Sequence, residues 1–435
     1  MNDEVTSEAT KNKHGKVTWF LSASALFESA VRSCHRILVV LLIVSMIQRG
    51  SEKVDDFLPY FGWIIVASYL LGGLLGDLLD RSKLFLIIGS TLQFLGLVLL
   101  LWQPDFYFEI GVAIIMIGSG FYKSSLLNIL GRSYANKLEK ADTGFTIYQI
   151  AVAIGALVGT VLIGTAPDRG GAEIFFTLVV AAFLCLGTMV FAILAPSGRK
   201  RRVNYNSNVL DNSTFPLGSD EAMGESKVDK RLVASKISWK TIIFCLLMVA
   251  IFWIGYGFIR SLNGSYVRFK EIADLIYRGD WRSYIGEIAV IAIGVVFAIF
   301  RTKKPIKSEV KVGFGFLFLA LAYLMILFRN GTYDLVWLSI FSLLIGGSLL
   351  LLEPIIYSVL AQRINPKWLG TTYGMMLSIG VGIGYSAKGI QKSYNEEIDA
   401  NPIMIAMILF SLFAVLGTVL LVYLKVSSRT NLKAN

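Results

Sequence analysis

Ionisable side chains interrupt several of the most apolar stretches of this chain: Glu28, Arg32, His35 and Arg36 in one, Lys123 in another, Glu287 and Glu353 in two more. Their types set the chemistry available. Guanidinium and ammonium groups bind anions such as carboxylates. Carboxyl groups in apolar spans can take up and release protons, and imidazole titrates near neutral pH. A charge in the middle of an apolar helix costs about 3 kcal/mol or more, so such a group faces a partner or a water-filled path. Positions 28, 32, 35 and 36 fall on one helical face. Two arginines one turn apart repel unless Glu28 or an anionic ligand lies between them. Arg32, Arg36 and Lys123 therefore form the expected anion-binding set, and Glu28, His35, Glu287 and Glu353 the expected proton-handling set. A group of fixed ion pairs that only orients helices is the alternative. Tyr148, Trp253 and Tyr256 are expected to line the same site; lipid contact or core packing would use the same side chains.

Elements that could carry these groups across a bilayer recur along the chain. Its 435 residues are 55% hydrophobic and only 16% charged, with a mean hydropathy of +0.64. A soluble chain carries about 25% charged residues. Twelve apolar stretches of membrane-spanning length are counted. They run Thr18–Ile47, Leu58–Leu79, Leu84–Trp102, Ile110–Leu130, Gly144–Thr165, Ile174–Ala195, Thr241–Ile259, Tyr284–Phe300, Val312–Phe328, Leu335–Ala361, Leu369–Ala387 and Ile403–Leu424. The expected fold class is an all-α polytopic membrane protein.

Lys and Arg gather in alternate loops, including Arg81, Lys83, Lys137, Lys140, Arg199 to Arg202, Lys303, Lys304 and Lys367. By the positive-inside rule both termini are cytoplasmic and the protein is a multi-pass resident of the cell (plasma or inner) membrane. The basic segment Arg260–Arg282 is an exception on the outer side, and its amphipathic pattern suggests a short surface helix. The net charge of +11 is explained by these loops, and no basic stretch interleaves with aromatics as a nucleic-acid site would. The polar N-terminal residues carry no cleavable signal pattern, leaving the first helix as the insertion signal. Residues 197–238 are rich in Ser, Asn, Asp and Lys and read as a flexible inner linker. The expected organisation is a tail (1–17), a first six-helix bundle (18–196), the linker (197–238), a second six-helix bundle (239–425) and a tail (426–435). A weak repeat supports two similar halves: Ile129 to Lys137 follows the fourth span and Val359 to Lys367 the tenth, each leading into a Gly-rich helix.

Three motifs sharpen this plan. Gly72-Gly-Leu-Leu-Gly-Asp-Leu-Leu-Asp-Arg-Ser-Lys83 places Asp77 at a helix end with Arg81 and Lys83 beyond it, a candidate charged inner gate. It resembles the second-to-third-helix signature of the major facilitator superfamily, GxxxD followed by basic residues. Gly118-Ser-Gly-Phe-Tyr-Lys-Ser-Ser-Leu-Leu-Asn-Ile-Leu-Gly131 resembles the fourth-helix motif of the proton-dependent oligopeptide transporter family, GTGxFKPNxxxxxG. Asp142-Thr-Gly-Phe-Thr-Ile-Tyr148, followed by Ile154-Gly-Ala156, is similar to that family's next segment, DAGFxxFYxxINLGA. The resemblance implies twelve helices in two six-helix bundles, the major facilitator fold. It also implies that Lys123 binds a substrate carboxylate or couples to protons, and it fits Pro354 and Ser358 to the tenth-helix pattern, with Ser358 at the substrate. The chain departs from the family elsewhere: Ala25 and Ser29 replace an acid and the arginine of the first-helix ExxER, Ala153 a fifth-helix asparagine, Gly257 a seventh-helix acid, Leu349 a tenth-helix acid and Met376 an eleventh-helix tryptophan.

The expected activity is secondary transport of a small polar or zwitterionic solute, peptide or amino-acid-like, by a monomer in the lipid bilayer. Two alternatives stay open: an exporter of an amphipathic compound, and a non-transporting receptor or scaffold of transporter origin. An enzyme is not expected, since the chain has two histidines and no Walker A motif. No metal or cofactor is expected; an ion gradient, of protons, is the expected energy source.

Overall fold

The computed structural model describes residues 15–48, 53–102, 104–134, 138–164, 172–196, 243, 246–255, 288, 290–294, 308–327, 335–382 and 408–419. Each of the twelve predicted spans contains described helix. The helices are α1 (Lys16–Gln48), α2 (Lys53–Leu78), α3 (Ser82–Trp102), α4 (Pro104–Ser133), α5 (Leu138–Gly164), α6 (Ala172–Leu194), α7 (Leu246–Gly255), α8 (290–294), α9 (Ser308–Leu327), α10 (Leu335–Arg363), α11 (369–382) and α12 (Ile408–Val419). The expected linker, the C-terminal tail and Arg260–Arg282 lie outside the described residues. Helices α4 and α5 begin six residues earlier than hydropathy suggests, because a polar first turn is helical without being apolar. Pro104 opens α4, where its fixed φ suits a helix start and its missing N–H costs nothing.

Large apolar side chains cover the outside of the bundle. Phe175, Phe183, Leu194, Trp63 and Trp102 are all exposed, Phe183 at 70%. Among the described residues, five helices are long and apolar enough to cross a membrane by length and composition. Such a surface is stable against lipid tails and would drive association in water.

Close approach of helices rests on glycine. Gly155 and Gly159 of α5 lie against α1 so tightly that an added Cβ would run into the carbonyl oxygens of Leu26 and Ala30. Gly73 of α2 lies in the same way against Gly370 of α11, and a Cβ on Gly374 would meet the Tyr69 carbonyl oxygen at 2.5 Å. Thus α2 and α11, from opposite halves, run in contact over several turns. The expected glycines of α5 are borne out; in α11, Gly380 abuts the Trp253 indole, and a Cβ on Gly382 would lie 3.6 Å from Val66. Gly159→Ala is expected to destabilise by about 1–3 kcal/mol through overpacking. Thermal unfolding in detergent should therefore show a lower midpoint for this variant than for the parent.

Among the described residues, the largest buried core crosses the boundary between the halves. It joins Leu21, Tyr69, Tyr122, Phe145 and Tyr148 with Ile356, Tyr357, Leu360, Tyr373 and Met376. That core positions the charges described next.

Candidate functional site

On α1, Glu28 is buried at 2% exposure and Arg32 sits one turn beyond it. Arg32 donates Nε–H to Glu28 Oε1 at 3.2 Å and pairs through Nη2 with Oε2. Ser119 of α4 donates its hydroxyl to the same Oε1 at 3.3 Å. Lys123 stands one turn after Ser119, on the same side of α4. Opposite, α10 presents Glu353 with its carboxyl buried. Glu353 lies within electrostatic reach of both Lys123 and Arg32, and Gln149 of α5 is near it. Tyr148 lies among Arg32, Glu28 and Glu353, and Tyr69 and Tyr357 border the group. Five predicted residues, Glu28, Arg32, Lys123, Tyr148 and Glu353, are therefore one cluster drawn from both halves.

Helix α10 carries Glu353 beside Pro354, and the helix continues through the proline. The ring has no N–H for the Leu350 carbonyl, so that group needs another partner. An irregularity is placed here next to a charge.

An aromatic floor separates this cluster from the end of the bundle that holds the N-terminus of α1. Phe145 of α5 packs on Tyr357 of α10 (ring centroids 5.8 Å apart) and on Tyr373 of α11 (6.2 Å). Tyr357 and Tyr373 meet edge-to-face at 5.8 Å, and the Tyr373 hydroxyl donates to the Tyr357 carbonyl at 2.7 Å. All three rings are essentially buried.

Below the floor, two polar latches tie the halves together. In the first, Asp77 at the end of α2 accepts from Asn128 Nδ2 and Arg132 Nη2 of α4, both at 2.8 Å. Its other oxygen accepts from the Thr371 backbone N–H at 2.5 Å and the Thr371 hydroxyl at 2.9 Å, at the start of α11. A carboxylate at a helix N-terminus is favoured by the unpaired N–H groups and the helix dipole. In the second, Lys311 of α9 donates to Asp142 of α5 at 2.6 Å, with side chains only 10% and 8% exposed.

The two residues of the expected gate are placed differently. Asp77 is a latch, but its cation is Arg132; Arg81 is exposed on the α2–α3 turn. The turn explains this. Asp80 adopts φ 50°, carrying the chain away from Asp77, while Arg132 reaches both Asp77 and Asp80 from α4. Lys83 caps the Ile193 carbonyl of α6 at 2.9 Å.

The remaining predicted residues are more dispersed. Trp253 packs edge-to-face with Phe252 at 5.9 Å and lies on Gly380. Ser358 is buried and accepts from Gln362 on its own helix at 3.0 Å. His35 is buried at 9% exposure on α1. The helix at Arg36 is described but its side chain is not, and Tyr256 and Glu287 lie outside the described residues. Sequence reasoning missed Ser119, Gln149, Tyr69, Tyr357, Tyr373 and the partners of both latches. Asn128, Arg132 and Asp142 stood inside the quoted motifs; Lys311 opens an apolar span, a position where charges are ordinarily solvated.

The Major Facilitator Superfamily model matches residues 57–387. Among curated proteins, "Dipeptide and tripeptide permease B" of Shigella dysenteriae serotype 1 (strain Sd197) is 26% identical over 150 residues, 33% of this chain and 30% of that protein. "Di-/tripeptide transporter" of Lactococcus lactis subsp. cremoris is 27% identical over 137 residues, 31% of this chain and 26% of that protein. These alignments span less than a third of the relatives' length. Among solved structures, the human organic anion transporter MFSD10 (TETRAN) superposes with a TM-score of 0.65 at 16% identity, covering 93% of this chain and 97% of that one. A POT family transporter in complex with a thioalcohol-conjugated peptide gives 0.63 at 16% identity, covering 94% and 96%. Twelve helical stretches, the Asp77 latch across the halves and these matches agree: the chain belongs to the Major Facilitator Superfamily.

Proposed function

We propose that the protein is a secondary transporter that moves a small zwitterionic or anionic solute, peptide or amino-acid-like, by alternating access coupled to protons. The observation that carries this reading is the buried charge cluster between the halves, Glu28, Arg32 and Lys123 facing Glu353, above a face closed by Phe145, Tyr357 and Tyr373. Arg32 and Lys123 offer donors to a carboxylate; Glu353 and Glu28 carry protons. Protonation of Glu353 removes a counter-charge from Lys123 and Arg32, and a substrate carboxylate supplies one in its place. Rocking of the halves about this site exposes it to each side in turn. The closed face is the cytoplasmic one if both termini are cytoplasmic, so the structure corresponds to a carrier shut toward the cytoplasm. The relatives named for di- and tripeptides support peptides as the first substrates to test.

An apolar wall beside the cluster keeps the amphipathic exporter as a second reading. Ala153, Val290 and Leu350 pack together there with Ile150 and Ile293, where the peptide family places an asparagine at the position of Ala153.

Purified protein in liposomes, given an inward proton gradient and labelled di- and tripeptides, should accumulate at least one of them. Lys123→Ala should lower that uptake at least tenfold, the effect of losing about 1.4 kcal/mol or more of binding. Folded protein that accumulates no peptide under any gradient excludes peptide transport. Efflux of an amphipathic dye by the same liposomes would favour the exporter.

A further inference from the structure

Gln149 and Glu353 face each other across the two halves in a definite register. Helices α5 and α10 run antiparallel in contact. Phe145 meets Tyr357 with centroids 5.8 Å apart; about two turns on, Ala153 packs with Leu350; the turn between them sets Gln149 against Glu353. Gln149 and Glu353 are both buried, at 5% and 9% exposure. The pair is thus fixed by aromatic packing on one side and aliphatic packing on the other.

We propose that Gln149 is the positioning residue for the proton carried by Glu353, and that it keeps the two halves hydrogen-bonded in either protonation state. This role rests on Glu353 being the proton carrier of the preceding subsection. The reason is the chemistry of an amide, which has both a donor and an acceptor end. Facing the carboxylate, the Gln149 NH2 donates. Facing the protonated acid, its carbonyl accepts the new O–H. Rotation of the amide by half a turn exchanges the two ends without moving the helix. The proton arrives from solvent or substrate, and only the direction of the hydrogen bond changes. The cations around Glu353 cannot do this. Lys123 of α4 and Arg32 of α1 only donate, and so can address only the ionised acid. Tyr148 of α5 and Tyr357 of α10 border the group, but their hydroxyls face several charges at once.

A protonated buried acid that loses its acceptor is left with an unsatisfied O–H, which is costly away from water. Gln149 removes that cost from one step of the cycle. Loading the proton then does not by itself part α5 from α10, and opening of the closed face is left to the latches and the floor.

The test needs no identified substrate. Infrared difference spectra between acid and alkaline pH, on protein reconstituted in liposomes, show the C=O stretch of each carboxyl that titrates. The Glu353 band is the one absent in Glu353→Gln. In Gln149→Leu, similar in bulk and without hydrogen bonds, that band should move to higher wavenumber, as a freed carboxyl does. In the exchanged pair Gln149→Glu/Glu353→Gln a band should reappear near the parental position, because the same amide–carboxyl bond is rebuilt from the other side. A Glu353 band that stays in place in Gln149→Leu overturns the proposal while leaving Glu353 as a proton carrier. The absence of any band lost in Glu353→Gln shows that Glu353 does not titrate, and removes both the carrier and its positioning residue. The exchanged pair decides the matter if Gln149→Leu does not fold.

Discussion

Arg32→Ala is expected to abolish transport and to lower the thermal-unfolding midpoint, while Glu28→Gln/Arg32→Ala recovers stability and stays inactive. The first variant leaves Glu28 buried at 2% exposure with Ser119 as its remaining described donor. Removing one partner of a buried ion pair costs about 3–5 kcal/mol, because the other charge is left in a medium that solvates it poorly. Replacing both partners by neutral groups takes that penalty away. The neutral pair holds α1 against α4 but offers no guanidinium to a carboxylate. Unfolding midpoints and uptake into liposomes, measured on the same three proteins, therefore separate packing from binding. If the double variant transports as well as the parent, Glu28 and Arg32 are a structural pair and the anion site lies elsewhere.

The sequence showed the membrane fold, and much of the cluster, for a physical reason. A bilayer makes apolar length and buried charge unusually informative, so α1 to α6 and the charged residues Glu28, Arg32, Lys123 and Glu353 stand out against a uniform background. What the sequence concealed was partnership across the halves. Gln149 is an unremarkable polar residue until α5 lies antiparallel to α10. Tyr357 and Tyr373 read as ordinary membrane aromatics until Phe145 comes between the halves to meet them. The gate shows the same limit on a smaller scale. Arg81 was the cation nearest Asp77 in sequence, yet the αL turn at Asp80 points the chain outward, and the cation nearest in space comes from α4. Local order along the chain selects such a turn but not which distant side chain reaches into it.

The two latches differ in how their charges divide between the halves, and this predicts unequal effects on opening. When the closed face parts, Asp77 keeps Asn128 and Arg132, which belong to its own half, and gives up only the two donors of Thr371. Asp142 and Lys311 belong to opposite halves and separate entirely. Neutralising either breaks this buried pair in the closed state, a loss that the open state, where water solvates both groups, does not feel. With about 3–5 kcal/mol at stake for breaking a buried pair and 1.4 kcal/mol per tenfold change, Asp142→Asn or Lys311→Met should shift the balance toward opening by about a hundredfold or more. The shift can be read with a cysteine at Ala361, which is buried between the latches and the floor. On a background with Cys34, Cys185 and Cys245 replaced, a water-soluble maleimide applied from the closed side should label it slowly in the parent and quickly in either single variant. Asp77→Asn should accelerate labelling less. Asp142→Lys/Lys311→Asp restores opposite charges at the same distance and should return labelling toward the slow rate. Equal rates in all five proteins would mean that the aromatic floor alone keeps this face shut.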